Sequence, residues 1–220
     1  MLQYQTVGTD LCYDQRFTEI GNKENEEIKI QEKQEIKNLY RIHVNVYNIT
    51  SLASIPIPKV IYQTWKTKQL PETCAQIQEN IRQLNPSYEL VMYDDPDMDN
   101  FVQSNFDEHV FRCYSKLKVG AAKADFWRYC ILYKNGGVYL DIDSEILQPL
   151  DDLIRDEDQC IITREGNPGI FNNWIMIFEK EHPILLQTIR HCCHNITYLH
   201  LYHTYIFYQI DIPVIILDDS

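Results

Sequence analysis

Asp125, Arg128, Asp141 and Asp143 fall within one stretch, LKVGAAKADFWRYCILYKNGGVYLDIDSEILQPL at 117–150, and their types and spacing can do chemistry. Asp141 and Asp143 offer two hard oxygen ligands of the kind Mg²⁺ or Mn²⁺ prefers, and such ions keep waters and substrate phosphates in the rest of their shell. An ion held there would offset the charge of a diphosphate and stabilise it as a leaving group. Asp125 and Arg128 are three apart, so on a helix they share a face. The forked guanidinium suits phosphate or sugar oxygens, although Arg128 could equally pair with Asp125 or Asp141 as an internal ion pair.

Those side chains need a helix, a turn and a strand. The apolar residues Val119, Ala122, Phe126, Tyr129, Cys130 and Tyr133 recur at helical spacing, which predicts an amphipathic helix from Leu117 to Lys134. Asn135, Gly136 and Gly137 are stop signals. Val138 to Ile142 has strand composition, with Val138, Leu140 and Ile142 on one side and Tyr139, Asp141 and Asp143 on the other. An Asp-x-Asp triplet alone carries little weight, since Asp95/Asp97, Asp97/Asp99 and Asp156/Asp158 fit it too. Those three lie in polar segments and read as solvated loops or helix caps.

Elsewhere the pattern predicts strands at Ile57–Tyr62, Tyr88–Tyr93, Cys160–Thr163 and Trp174–Phe178. Helices are expected from Pro71 to about Leu84, between Met98 and Phe106, and at about 184–194. Strand and helix alternate as in an α/β sheet that binds ligands at its strand ends. Residues 1–54 include the charge-dense GNKENEEIKIQEKQEIKNLY and read as an accessory, poorly packed segment, with 55–220 as the main domain.

The formal charge is −12, and residues 135–220, with 4 basic and 14 acidic side chains, supply −10 of it. Nucleic acid and anionic membrane select basic surfaces, so neither is expected as a partner. The seven cysteines, at 12, 74, 113, 130, 160, 192 and 193, show no CxxC spacing, and the odd count argues for a reduced chain over a disulfide framework. His191, Cys192, Cys193 and His194 are too close in sequence to converge on one tetrahedral ion. No signal peptide is visible and no run approaches the roughly 20 apolar residues of a spanning helix. The expected location is therefore cytoplasmic or peripheral to a membrane, which disfavours the Golgi lumen.

ADFWRY at 124–129 followed by YKNGGVYLDID at 133–143 resembles the DXD-containing glycosyltransferase family 32, which includes fungal mannosyltransferases of glycans and sphingolipids. The segment is similar, more distantly, to the glucosylating domains of large bacterial toxins. The resemblance begins at IPKVIYQTW near Ile57, passes through NPSYELVMYDD at 85–95, and fades after about Leu186. It implies a GT-A type fold, a Rossmann-like mixed α/β sheet flanked by helices, and a nucleotide-sugar donor (GDP-mannose or a UDP-hexose). It also implies transfer with retention to a glycan, glycolipid or protein acceptor. By position, Asp143 is implied as the direct metal ligand and Asp141 as its partner touching ribose, sugar and metal-bound water. Asp125 and Arg128 are implied as donor-sugar and ribose contacts, and Gln63, Thr64 and Trp65 as the loop near the base. Trp65 could stack on that base or pack on the core, and Asn172 and Asn173 could contact a sugar or cap a turn. The chain departs from the family in having Tyr62 for a usual His and Lys123 for a common Arg. Its last residues, TYLHLYHTYIFYQIDIPVIILDDS, align with no part of the family, which leaves the third metal ligand unassigned and the domain C-terminally incomplete. Two classes therefore stand: a metal-dependent retaining hexosyltransferase with Mn²⁺ or Mg²⁺, and a degenerate, non-catalytic nucleotide-sugar-binding module.

Overall fold

The computed structural model describes residues 39–43, 55–164, 171–199 and 215–217. The strands are β1 (Leu39–His43), β2 (Val60–Thr64), β3 (Glu89–Tyr93), β4 (Gly137–Leu140), β5 (Cys160–Arg164), β6 (Phe171–Phe178) and β7 (Ile215–Leu217). The helices are α1 (Glu72–Leu84), α2 (Asp95–Asn105), α3 (Glu108–Lys116), α4 (Gly120–Asn135), α5 (Leu150–Leu153) and α6 (Pro183–His194). The strands form one mixed sheet in the order β3-β2-β4-β6-β5-β1-β7. β2 runs parallel to β3 and β4, and the remaining pairs are antiparallel.

Period-two alternation explains how the sheet acquires two cores. Ile61, Val138, Ile177 and Ile161 are register partners across four strands. They face α1 and α5, packing with Ile77, Ile81, Leu150 and Leu153. One residue further along β2, β4 and β5, and one back along β6, Tyr62, Tyr139, Met176 and Ile162 form the adjacent row. They face the opposite side, against α2, α3, α4 and α6. Slipping any of these strands by one residue would exchange the rows, so burial of both faces fixes the register.

The expected α/β sheet is present; besides the unexpected short elements α5 and β7, three differences stand out. Leu39–His43 is a strand within the segment read as accessory, pairing with β5 through Leu39 and Thr163. Pairing with a strand so distant in sequence leaves no local signal; the remainder of 1–54, Cys12 included, lies outside the described residues. A helix at Glu108–Lys116 was not expected either; the Asp107 side chain caps it by accepting from Val110 N at 2.9 Å. The third difference is α4, which is not amphipathic. Phe126 through Leu132 are all buried, because α2, α3 and α6 cover the faces the sheet does not. Val119, expected on the apolar face, is 65% exposed at its N-cap.

The six described cysteines are free and buried, and among the described residues no helix is long and apolar enough to cross a membrane. His182 caps α6, its Nδ1 accepting from Ile184 N at 3.3 Å, with the ring edge-on to Phe178. Burial pushes the imidazole pKa down from 6.5 to about 4. The unfolded chain binds that proton first, so the stability from neutral His182 is complete above about pH 6.5 and is lost as pH falls towards 4. The total is about 3 kcal/mol. Urea melts across this window should show the slope in the native protein and lose it in His182→Asn, which keeps a capping acceptor.

Candidate active site

α4 ends by design of its backbone. Gly136 takes φ +67° and donates to Leu132 O at 2.8 Å, and Gly137 takes φ +106° as it enters β4. A Cβ on Gly137 would lie 2.8 Å from Val60 O, so the turn packs directly on the start of β2. This tight return brings the face of α4 that holds Asp125 and Arg128 over the end of β4.

The guanidinium of Arg128 is the hub. Its side chain is 5% exposed, and Nη2 lies 3.0 Å from Asp125 Oδ1 and 3.2 Å from Asp141 Oδ1. Nη1 donates to Asn173 O at 2.6 Å, Nε donates to Ala124 O at 3.4 Å, and Cζ lies 4.3 Å from the centre of the Tyr139 ring. The Tyr139 hydroxyl donates to Asp141 Oδ1 at 2.7 Å. Asn173 closes the group from β6, its Nδ2 donating to Asp125 Oδ1 at 3.1 Å. Burial works against the charge on Arg128, but Asp141, Tyr139 and Asp125 outweigh it and hold the guanidinium pKa above its ordinary value. Asp141 moves the other way. Burial raises its pKa, and Arg128 and the Tyr139 hydroxyl offset this only in part. The Tyr139 phenol is pushed well up by burial and stays a donor. Asp141 nevertheless keeps 32% of its side-chain surface, so its carboxylate remains partly open to solvent.

β4 stops at Leu140, two residues before the expected end. Asp141 follows it and Asp143 lies in the turn closed by Ser144 N donating to Asp141 O at 3.0 Å. Buried Ile142, Ser144 and Ile146 still alternate with half-buried Asp141, Asp143 and Glu145, so both aspartates face away from the core. The main chain of Asp141 is pinned by its N donating to Trp174 O at 2.9 Å and by Gln63 Nε2 donating to its carbonyl at 3.3 Å. Gln63 is fully buried and its Oε1 accepts from Gln78 Nε2 at 3.0 Å, so it positions the strand end and does not face the cleft. Thr64 is nearly buried and its side chain bonds to that of Tyr139. Trp65 is half-buried just past β2, tied by its N–H to Tyr93 O at 3.1 Å, with Lys66 Nζ 5.6 Å from its ring centre.

The structure thus brings together Asp125, Arg128 and Asp141, with Asp143 two residues on, and adds Tyr139 and Asn173. Tyr139 was signalled by its alternation with Asp141. Asn173 is 48 residues from Asp125 and only the resemblance pointed to it. The other triplets are occupied. Asp94 and Asp97 form a capping box on α2, Lys68 pairs with Asp97, Lys123 with Asp99 at 2.7 Å, and Asp158 Oδ2 accepts from Arg155 N at 2.9 Å. Lys123 also lies over the Tyr114 ring, and Tyr62 covers Gly137, so both family departures are absorbed by packing. Among the described residues, Asp125, Asp141 and Asp143 do not close into a three-ligand cluster. The carboxylates at the end of β4 are hard oxygen donors, the ligand chemistry that Mg²⁺ and Mn²⁺ take alongside water and phosphate.

Residues 71–160 match the family described as a glycosyltransferase sugar-binding region containing a DXD motif. The chain is 39% identical over 148 residues to inositol phosphoceramide mannosyltransferase 3 of Schizosaccharomyces pombe, covering 66% of this chain and 40% of that protein. It is 32% identical over 164 residues to an initiation-specific alpha-1,6-mannosyltransferase of Candida albicans, covering 62% and 42%. It spans about two fifths of the length of these relatives. Among solved structures, the PaToxG glycosyltransferase shares the fold, with a TM-score of 0.51 at 20% identity over 64% of this chain and 60% of that one. A Rossmann-like α/β sheet, the acidic strand end and these sequence likenesses agree: residues 71–160 match a glycosyltransferase sugar-binding region that contains a DXD motif.

Proposed function

We propose that the chain is a metal-dependent retaining hexosyltransferase that takes its sugar from a nucleotide diphosphate. The observation that carries this is the Asp125–Arg128–Asp141–Tyr139 cluster at the open end of β4, next to Asp143. Asp143 and Asp141 are the proposed ligands for Mn²⁺ or Mg²⁺, and the bound ion would stabilise the departing diphosphate. Asp141 Oδ1 is taken by Arg128 and Tyr139, which leaves its second oxygen for that purpose. Asp125 is aimed by Arg128 and Asn173 to accept from donor hydroxyls. Arg128 acts mainly by orienting both carboxylates and by opposing the burial that disfavours ionised Asp141. Trp65, half-buried just past β2, is the residue proposed to stack on the base, while Gln63 and Thr64 support the floor from behind. The names of the relatives make mannose the first sugar to test and a glycan or glycolipid the first acceptor.

Donor turnover with Mn²⁺ should be measured on GDP-mannose, UDP-glucose, UDP-galactose and UDP-N-acetylglucosamine. One donor should be consumed, and Asp143→Asn should lose about 10²–10³-fold in rate, the scale of losing one fixed transition-state electrostatic contact. Its melting temperature should not change, because no described side chain pairs with Asp143. Metal-dependent binding without turnover would instead identify a degenerate binding module. Absence of binding to every donor would exclude both readings.

A further inference from the structure

α3 and α6 carry none of the residues above, yet they bring three soft ligands together. His109 and Cys113 are four apart on α3, and Cys193 reaches them from α6. His109 Nε2 lies 4.0 Å from Cys113 Sγ, and the three ligand atoms all lie within 4.8 Å of one another. Cys113 and Cys193 are 1% and 3% exposed, whereas His109 is exposed. Thr197 Oγ1, from the π-helical turn Asn195–Leu199 that continues α6, sits 3.4 Å from Cys113 Sγ. His109 and Cys193 also line a cavity of about 400 Å³, together with Asp107, Lys134 and Arg190. Of the run His191-Cys192-Cys193-His194, Cys193 is the member that joins this cluster, so the convergence comes from two helices rather than from sequence neighbours.

We propose that His109, Cys113 and Cys193 form a binding site for a thiophilic d¹⁰ cation, Zn²⁺ by preference, whose fourth position opens towards the cavity. Tetrahedral bonds of about 2.3 Å to sulfur and 2.0–2.1 Å to nitrogen place two thiolates about 3.8 Å apart, and a thiolate and an imidazole about 3.6 Å apart. The His109–Cys113 separation is within about 0.4 Å of that value, and the widest separation has to close by at most about 1 Å for an ion to be held. Two sulfurs and an imidazole select zinc over the hard ions proposed for Asp141 and Asp143, so the two sites do not compete for one metal. The ion would tie α3 to the end of α6.

Co²⁺ serves as the spectroscopic probe. Reduced, chelator-stripped protein should bind one equivalent with thiolate-to-cobalt charge-transfer and tetrahedral d–d bands, and Zn²⁺ should displace it. Cys113→Ser and Cys193→Ser should each diminish the charge-transfer band. His109→Ala, at an exposed position that leaves packing intact, should weaken binding at least about tenfold, the lower end of what losing even an outer-shell partner costs. Cys192→Ser and Asp143→Ala should leave the bands unchanged. The absence of any thiolate–cobalt band overturns the proposal. So does a band undiminished in Cys193→Ser, or a Cys113–Cys193 disulfide in protein isolated in the presence of zinc.

Discussion

Replacing Arg128 with alanine should destabilise the fold by about 3–5 kcal/mol, the range for removing one partner of a buried charge cluster. The loss follows from what is left behind. Asp125 and Asp141 would face each other without the cation that lies 3.0 and 3.2 Å from them, and the Asn173 carbonyl would lose its 2.6 Å donor. Arg128→Lys should recover only part of this, because one ammonium cannot reproduce a fork that reaches two carboxylates and a carbonyl. The pH dependence identifies the mechanism. Asp141 already has a pKa above 3.8 through burial, and without Arg128 it rises further. A carboxyl whose folded pKa is raised loses stability as pH rises through the interval between its unfolded and folded values. The variant is therefore penalised most near neutrality, and its deficit in urea melts should shrink as pH falls towards the carboxylate range. A deficit independent of pH would mean that lost packing, not stranded charge, is the cause.

Gly137→Ala should cost about 2–6 kcal/mol and abolish transfer even in the fraction that folds. Its φ of +106° is closed to a side chain at about 1–3 kcal/mol. The new methyl would also lie 2.8 Å from Val60 O and 3.2 Å from Tyr62 Cε2, and such overpacking adds about 1–3 kcal/mol. Relief requires β4 to move off β2, which takes Asp141 and Asp143 out of line with Arg128. Gly120→Ala is the matched control, since nothing lies within 4 Å of the added carbon. It should be neutral or stabilise by up to about 1 kcal/mol. Equal losses in the two variants, read by thermal melts, would contradict this account.

Much of the site was legible because it is local. Asp125 and Arg128 share a helical face, Gly136 and Gly137 mark the turn, and Val138–Leu140 alternate as a strand; each is set by neighbours within a few residues. What escaped detection depends on distant partners. β1 and β7 pair at a far edge of the sheet, and no periodicity in LYRIH or IIL announces that. α4 does not show the expected amphipathic pattern: the three helices that cover it cannot be inferred from its own sequence. The donor-loop reading separated in the structure. Gln63 turned inward because Gln78 and the Asp141 carbonyl satisfy both ends of its amide, whereas Trp65 remains partly open. Asp143 left the strand because Ser144 N closes a turn on Asp141 O.

Among the described residues, one guanidinium lies against two of the three carboxylates Asp125, Asp141 and Asp143, so acid outnumbers base at the end of β4. Arg128 already contacts carboxylates of its own chain. On the proposed function, the cleft repels a bare nucleotide diphosphate, and binding acquires an order: the cation enters first or rides in on the donor. The sugar nucleotide then meets a floor whose charge has already been neutralised, so donor affinity tracks metal occupancy even though the ion need touch little of the sugar.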